Sequence, residues 1–294
     1  MPRGGEPEWP KRVPVGTSLE AFPVQIPTRY LRLEGGCNFR DAGGHATADG
    51  RTVRWGCVYR AGVLSYFTPA DAERLSGLGV RAICDLRRAE EREREPTRWP
   101  VPDVATLTWD DGEDAPAVTR RFAPREPDAE GMRDAMLNLY RALPRWMAPR
   151  VRGLFECVAY DRMPVVVHCS AGKDRTGFAV AMLHAALGVS ADAVMQDYLY
   201  TNEVGNFEEF ARRRRGALLG VADERRPLFR MPPEIRRVLF VADPDYLNTA
   251  LQQIDAEFGG LECYLREAVG LSAELRRRLQ NALLTHSPIA GGGK

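Results

Sequence analysis

Two apolar stretches flank one short polar loop in the middle of the chain. Val165, Val166 and Val167 precede the loop, and the run from Phe178 to Leu187 follows it. A short β-branched run predicts a buried strand, and a longer run that is apolar on all sides predicts a buried helix. The pattern therefore predicts a strand that ends at a tight loop, directly followed by the start of a helix.

The same periodicity predicts elements along the rest of the chain. Strands are expected at 52–59, 80–86, 104–109 and 164–168, and helices at 132–143, 146–160, 245–258, 261–269 and 272–284. Thr68, Pro69 and Asp71 predict a capped helix start. Pro144 and Pro149 should separate the helical segments around them. We expect an α/β fold with a central, mostly parallel sheet flanked by helices and a helical C-terminal region.

Composition narrows the class of protein. The chain has 294 residues, 44% of them hydrophobic, so a sizeable core is expected, and its net charge of +1 argues against a general nucleic-acid binder. The six cysteines form no Cys-x-x-Cys pair and the four histidines show no metal-ligand spacing, so we expect no metal and no cofactor. Without a signal peptide or an apolar run of membrane-spanning length, a cytoplasmic protein is expected, with secretion by a non-classical route left open.

The central loop carries the candidate chemistry. It contains Cys169 and, after five intervening residues, Arg175, at a strand-to-helix turn. Such a turn points backbone N–H groups at an anion, and a guanidinium can grip a phosphate with two parallel hydrogen bonds. A nucleotide-binding P-loop is excluded by spacing, since Asp174 follows Gly172-Lys173 and Val167 replaces the first glycine. The loop is therefore interpreted as a phosphate cradle with a thiol at its base.

The segment from His168 to Gly177 resembles the Cys-x5-Arg signature of protein tyrosine phosphatases. Its Ala-Gly-Lys-Asp-Arg version is similar to one bacterial branch, the mycobacterial protein tyrosine phosphatase B-like enzymes. Other segments resemble that branch as well: Asn38-Phe39-Arg40-Asp41, Tyr59-Arg60, Asp85-Leu86-Arg87, Asp197-Tyr198-Leu199, Tyr246-Leu247 and 259–265. The resemblance covers most of the chain from about residue 31 onward, and it implies a tyrosine-phosphatase-like sheet.

The resemblance also suggests roles for individual residues. A phosphatase of this kind would use Cys169 as nucleophile, and its thiolate would be favoured by loop amides, the helix end and Arg175. Asp174 is the first choice for the general acid, Asp85 is a supporting carboxylate or second candidate, and Asp110 is the third. Phosphate would be bound by the loop residues Ser170, Ala171, Gly172, Lys173, Arg175 and Thr176.

The substrates implied by the resemblance are phosphotyrosine proteins, with phosphoserine, phosphothreonine and phosphoinositides as further candidates. Lys173 would favour multiply charged substrates, whereas Ser170 departs from lipid phosphatases that carry a second lysine just after the cysteine. The alternative is a non-catalytic module that binds phosphate esters or phosphoinositides. Nucleophile, clamp and acid occurring together argue against that alternative.

The predicted organisation is a single phosphatase domain at 29–287, between an extended arm at 1–28 and a flexible tail at 288–294. By resemblance, 203–242 is a candidate helical lid, and 38–41 should support the catalytic loop. The basic run at 212–215 suggests either transient contact with a membrane surface or a solvated helix face. The charge-rich run at 90–95 is expected to be a solvated helix face.

Overall fold

The computed structural model describes residues 29–109, 128–207, 210 and 231–286. Its strands are β1 (Arg40–Asp41), β2 (Arg51–Val53), β3 (Val58–Ala61), β4 (Ala82–Asp85), β5 (Ala105–Leu107), β6 (Val165–His168) and β7 (Leu284–His286). Its helices are α1 (Pro69–Ser76), α2 (Ala89–Arg94), α3 (Ala129–Ala159), α4 (Asp174–Leu187), α5 (Ala191–Leu199), α6 (Thr201–Val204), α7 (Pro233–Phe240), α8 (Pro244–Phe258), α9 (Leu261–Glu267) and α10 (Ala273–Leu283).

Five strands form the central sheet in the order β1-β3-β6-β4-β5. Strands β3, β6, β4 and β5 are parallel, and only β1 pairs antiparallel, with β3. A separate antiparallel pair joins β2 to β7. The predicted α/β fold with a mostly parallel sheet flanked by helices is confirmed, and the parallel strands bring their carboxyl ends to one edge, where such folds collect functional residues.

The alternation of side chains along β6 places the candidate cysteine. Val165 and Val167 lie in the larger core, which α3, α4, α8 and α10 cover, whereas Val166 faces a smaller core on the other side of the sheet. Successive residues of a strand point to opposite faces. Cys169 continues the odd-numbered side and belongs to the larger core, with 2% of its surface exposed.

The predicted single strand at 52–59 is wrong. Two short strands occupy this stretch and belong to different sheets, since β2 pairs with β7 while β3 pairs with β1 and β6. The turn between them contains Gly56 at φ +74°, a left-handed conformation that glycine adopts easily. Both halves have strand-like composition, and only their distant partners decide where the strand breaks.

The two helices predicted at 132–143 and 146–160 are one continuous helix, α3, with Pro144 and Pro149 inside it. An internal proline removes a backbone hydrogen bond and costs about 3 kcal/mol. Helix α3 packs against α4, α7, α8 and α10, and more than a dozen of its residues are buried. Because each buried apolar side chain contributes roughly 1.5–3 kcal/mol, packing outweighs the two interruptions.

Side-chain caps mark the starts of several helices. Thr68 accepts a hydrogen bond from the Asp71 amide while the Asp71 carboxylate accepts from the Thr68 amide, which completes a capping box. Ser190 and Ser272 likewise cap α5 and α10 through their hydroxyl oxygens. Within the described ranges, no helix combines the length and the apolar character needed to cross a membrane.

His184 is a fully buried histidine on α4 that should make stability depend on pH. Its Nε2 lies 2.8 Å from the Ala42 carbonyl oxygen, so Nε2 carries the ring proton and donates it. Burial, helped by the nearby His45 ring, lowers the pKa of His184 to about 3. An unfolded chain binds this proton below about pH 6.5, whereas the folded protein does not until far lower pH. The stabilisation is therefore complete above pH 6.5 and is lost as the pH falls.

We expect this histidine to lower the free energy of unfolding by roughly 1.4 kcal/mol for each pH unit below about 6.5. Urea unfolding at several pH values between 7.5 and 5 measures the slope, a window that lies above the usual range of carboxylate titration. His184→Gln should flatten the slope, whereas the exposed His286 changed to Gln should not. Equal slopes in all three proteins would contradict this assignment.

Candidate active site

The loop from Cys169 to Lys173 joins β6 to α4 and curls around the cysteine sulfur. The Gly172 amide donates to Cys169 Sγ at 3.3 Å. Gly172 has φ +68°, and a side chain there would place its Cβ 2.5 Å from the Ala61 carbonyl carbon and oxygen. Only glycine satisfies both the left-handed backbone and this close approach. Of the predicted nest of amides, the Gly172 amide is the one that donates to the sulfur among the described residues.

Two side chains brace the loop from behind. The Gly172 carbonyl oxygen accepts from Asn38 Nδ2 at 2.8 Å and from Arg60 Nη2 at 2.9 Å. Asn38 Nδ2 also lies 3.4 Å from the Ala171 carbonyl oxygen. Since the C=O and N–H of one peptide point in opposite directions, holding these carbonyls outward turns the following amides toward the cradle. Asn38 itself lies at φ +55°, where asparagine is tolerated better than most residues.

The bracing residues are tied to a buried residue of α5, Asp197: Arg60 directly and Asn38 through Arg40. Arg60 Nη1 lies 2.6 Å from Asp197 Oδ2, and Arg40 donates to the Asp197 backbone oxygen at 2.9 Å and to Asn38 Oδ1. Arg29 lies 3.5 Å from the same carboxylate. Burial alone would raise the pKa of Asp197, but Arg60 and Arg40 outweigh it and hold the pKa well below its usual range. The cluster therefore carries more positive than negative charge behind the anion cradle.

Glu91, a residue that the sequence analysis did not identify, holds the Arg175 guanidinium in a fixed orientation. Arg175 Nη1 and Nη2 lie 2.6 and 2.8 Å from the two carboxylate oxygens of Glu91 on α2. Ser170 also donates its hydroxyl to Glu91. Burial would raise the pKa of Glu91, but the guanidinium outweighs it and lowers the pKa well below its ordinary value. The pair fixes the plane of the clamp beside the sulfur.

The expected solvated helix face at 90–95 holds for Glu90, Glu93 and Arg94, which are exposed, but is wrong for the two other glutamates. Glu91 and Glu95 have only 6% and 5% of their surface exposed. Composition could not show this, because the partner of Glu91 lies 84 residues away. One usable signal existed: α2 begins just after the carboxyl end of β4, at the edge of the sheet where α/β folds place their ligands.

Asp85 lies beside the loop, but both of its carboxylate oxygens already accept hydrogen bonds from neighbouring side chains. It pairs with His168 in the β4–β6 ladder, and Arg87 donates to both of its oxygens at 2.8 and 2.6 Å. Thr97 adds a bond at 3.1 Å. Burial opposes ionisation, but His168 and Arg87 lower the pKa of Asp85 far below its ordinary value. A carboxylate so placed suits the supporting role better than proton donation to a substrate.

Lys173 does not face an open pocket in this structure. Lys173 is 1% exposed, and its ammonium donates to the carbonyl oxygens of Leu239 and Val241, at 2.5 and 3.0 Å, at the C-terminal end of α7. The Tyr246 ring lies 5.7 Å away. Cations are favoured at helix C-termini. The expected contact of this side chain with phosphate is replaced here by a bond between the loop and α7.

Asp174 opens α4 and is partly exposed. Its Oδ1 accepts from the Tyr140 hydroxyl at 2.8 Å and lies 3.3 Å from the Lys173 ammonium. Its side chain retains 21% exposure, against 1% for Asp85. Of the carboxylates named as candidate acids, Asp174 alone among the described residues combines a place on the loop with access to solvent. Asp110 lies outside the described residues.

Thr176 was expected to bind phosphate. It is fully buried, and its Oγ1 has no hydrogen-bond partner among the described residues. His168 turns away from the sulfur, with Nε2 3.4 Å from Asp85. Both residues therefore lie in the wall of the site rather than at its mouth.

The candidate lid at 203–242 is described only in part. Phe207 and Phe210 pack with Cys37 and Val63 in a small cluster that also contacts Ala171 of the loop. The basic run at 212–215, the arm at 1–28 and the tail at 288–294 lie outside the described residues. Within the described ranges, no group of His, Cys, Asp or Glu is arranged to hold a metal ion.

This chain is similar in sequence to known proteins. The sequence profile of the tyrosine phosphatase family covers residues 31–285. A Cupriavidus necator protein, named provisionally as a tyrosine-protein phosphatase, is 34% identical over 247 residues, 81% of this chain and 84% of the relative. The triple specificity protein phosphatase PtpB of Mycobacterium tuberculosis is 30% identical over 279 residues, 86% of this chain and 98% of the relative. A tyrosine-protein phosphatase of Nostoc commune is 28% identical over 143 residues, 47% and 46% of the two chains.

Proposed function

Because this chain belongs to the tyrosine phosphatase family and is a protein-tyrosine phosphatase, we propose that it hydrolyses phosphotyrosine through a phosphocysteine intermediate on Cys169. The observation that carries the proposal is the sulfur itself. The Cys169 sulfur accepts a hydrogen bond from the Gly172 amide at the base of the loop. Glu91 holds the guanidinium of Arg175, on the same loop, in a fixed orientation. A cysteine sulfur with an amide donor and a fixed guanidinium on the same loop has the parts that a nucleophile in phosphoryl transfer needs.

The first step forms a sulfur–phosphorus bond and breaks the bond between phosphorus and the ester oxygen. The electron pair of the broken bond stays on that oxygen, which takes a proton from the Asp174 carboxyl group. Arg175 and the loop amides stabilise the charge on the equatorial oxygens. In the second step water attacks phosphorus, returns its proton to Asp174 and releases the thiolate and inorganic phosphate. The cysteine thus divides one difficult hydrolysis into two easier steps.

The surroundings of Asp174 fit the role of general acid better than those of Asp85 do. Both oxygens of Asp85 accept bonds from buried donors, which leaves no path for its proton to a substrate. Asp174 lies one residue from Arg175 and keeps access to solvent. We propose Asp174 as the acid and Asp85 as the carboxylate that holds Arg87 and His168 under the loop.

Asp174→Asn should slow substrates with poor leaving groups by about 10²-fold or more, because general acid catalysis supplies that much when the leaving oxygen needs a proton. Aryl phosphates whose phenols are strongly acidic release the phenolate without a proton, so the substitution should reduce their rates little. Initial rates on a series of aryl phosphates measure the difference. Equal losses across the series would remove Asp174 from the role.

Phosphoserine, phosphothreonine and phosphoinositides remain part of the proposed substrate range. The name of the mycobacterial relative supports a broad specificity. The buried position of Lys173 weakens the argument for phosphoinositides as substrates, because its ammonium is bound to α7 in this structure. Initial rates on the three substrate types, with vanadate as inhibitor control, measure the preference. We further propose that 29–287 acts as one phosphatase domain.

A further inference from the structure

Two buried tyrosines form a hydrogen-bond chain that ends on Asp174. Tyr140 of α3 donates to Asp174 Oδ1 at 2.8 Å, and its hydroxyl oxygen lies 2.8 Å from the hydroxyl of Tyr198 on α5. The two tyrosines are 0% and 1% exposed. Their hydroxyls come from two helices and meet at the first turn of a third, so this contact arises only from the tertiary fold.

The direction of the chain follows from proton counting. A phenol has one proton, and Tyr140 gives its proton to Asp174. Tyr198 must therefore be the donor between the two hydroxyls. Burial, together with the nearby Asp174, raises the pKa of both phenols well above the ordinary value, so both remain protonated at neutral pH. The chain thus runs from Tyr198 through Tyr140 to the carboxyl group.

The hydrogen-bond chain gives the two carboxyl oxygens of Asp174 different surroundings. Oδ1 is approached by the Tyr140 hydroxyl and by the Lys173 ammonium, at 2.8 and 3.3 Å. Among the residues that the structure describes, none donates a hydrogen bond to Oδ2. An oxygen that accepts from a hydroxyl and lies beside an ammonium is a poor place for an acidic proton. The transferable proton of Asp174 therefore belongs on Oδ2.

Aromatic packing holds the chain in place. Tyr246 of α8 stacks on Tyr140 with ring centroids 5.4 Å apart, and the rings of Tyr140 and Tyr198 meet edge to face at 6.4 Å. A Cβ at Gly177, on the first turn of α4, would lie 3.0 Å from the Tyr198 ring. A glycine at this position lets Tyr198 approach α4 closely enough to reach Tyr140.

We propose that Tyr140 and Tyr198 are positioning residues that orient Asp174 and keep its transferable proton on Oδ2, available to the leaving oxygen of the ester. The inference rests on the proposed function, in which Asp174 protonates that oxygen. It explains how an acid that is part of the phosphate loop, and not of a separate element, is kept in one orientation through the reaction.

Tyr140→Phe removes the hydroxyl that contacts Asp174 and keeps the ring. We expect kcat/KM for aryl phosphates with poor leaving groups to fall roughly tenfold, the upper end of what one hydrogen bond contributes, with little change for strongly acidic phenols. Tyr198→Phe should give a smaller loss with the same selectivity. The ratio of the two rates within one variant does not depend on how much of the protein is folded.

Tyr264→Phe is the matched control. It removes another buried tyrosine hydroxyl, which donates to the Pro144 carbonyl oxygen at 2.8 Å, without touching Asp174. This control should leave the leaving-group ratio at the wild-type value. In an Asp174→Asn background, Tyr140→Phe should cause no further leaving-group-dependent loss, because the group it orients is gone.

The outcomes separate the two hypotheses. If Asp174→Asn is selective for poor leaving groups and Tyr140→Phe is not, the positioning role is wrong and the proposed acid stands. The positioning role also fails if Tyr264→Phe changes the ratio as much, or if the selectivity of Tyr140→Phe persists in the Asp174→Asn background. If Asp174→Asn itself shows no selectivity, the proposed acid fails first.

Discussion

Serine in place of Cys169 is expected to lower turnover by more than about 10⁴-fold, on the scale seen when an enzyme loses its nucleophile. A hydroxyl ionises far less readily than a thiol, and the loop provides amides and positive charge rather than a base. Phosphate-ester binding should survive, because the Gly172 amide and the Arg175 fork do not depend on the sulfur. Turnover of an aryl phosphate and calorimetric titration of a non-hydrolysable analogue measure the two properties separately.

Cys263→Ser is the matched control for this variant. Cys263 is a partly exposed cysteine on α9, outside the core that holds the loop, and its replacement should leave turnover unchanged. Rapid quenching of the wild-type reaction should recover phosphorus on the peptide that contains Cys169. Turnover by a clean Cys169→Ser preparation, or phosphorus attached to another residue, would contradict the mechanism.

Lysine in place of Arg175 is expected to lower kcat by roughly 10³-fold although the charge is kept, the scale of an arginine that stabilises a transferred phosphoryl group. A lysine offers a single point of charge, whereas the guanidinium can hold two equatorial oxygens in a fixed plane. Binding of the substrate should weaken much less than turnover, because a cation remains in the cradle. Steady-state kcat and KM on one aryl phosphate test this division.

Glu91→Gln tests whether the buried carboxylate is what holds the fork. It should lower kcat by less than Arg175→Lys does, and the double variant should be little worse than Arg175→Lys alone, because both changes act on one unit. Arg51→Lys is the control: Arg51 pairs with Asp49 at 2.6 Å on the surface near β2. Strictly additive losses, or an equal loss in the Arg51 variant, would show that Glu91 does not act through Arg175.

The loop itself was predictable because its features are local. A β-branched strand, a turn that requires glycine at Gly172 and a helix start follow one another within about a dozen residues, and each obeys rules that act on near neighbours. The caps at Thr68, Ser190 and Ser272 were predictable for the same reason, since each side chain bonds an amide three residues on. The family resemblance then indicated that Cys169 is the nucleophile and that Arg175 binds the phosphate.

Residues whose roles depend on distant partners could not be predicted in the same way. Glu91 looked like one member of a solvated charge run until the fold placed it against Arg175. Lys173 looked available to substrate until α7 brought its terminal carbonyls to the ammonium. Two prolines inside α3 looked like helix ends until packing against four other helices outweighed them. In each case the decisive partner is more than sixty residues away or lies on another element.

The amino-acid sequence by itself determined the α/β alternation, the capped helix start at Thr68, the thiol at the end of a buried strand and the arginine placed to reach it. Only the tertiary structure decided which carboxylate orients that arginine, which side chains hold the loop carbonyls outward and which hydroxyls reach Asp174. The reason is physical: caps, turns and periodicity depend on neighbours along the chain, whereas a buried ion pair or hydrogen-bond chain exists only after several elements have packed together.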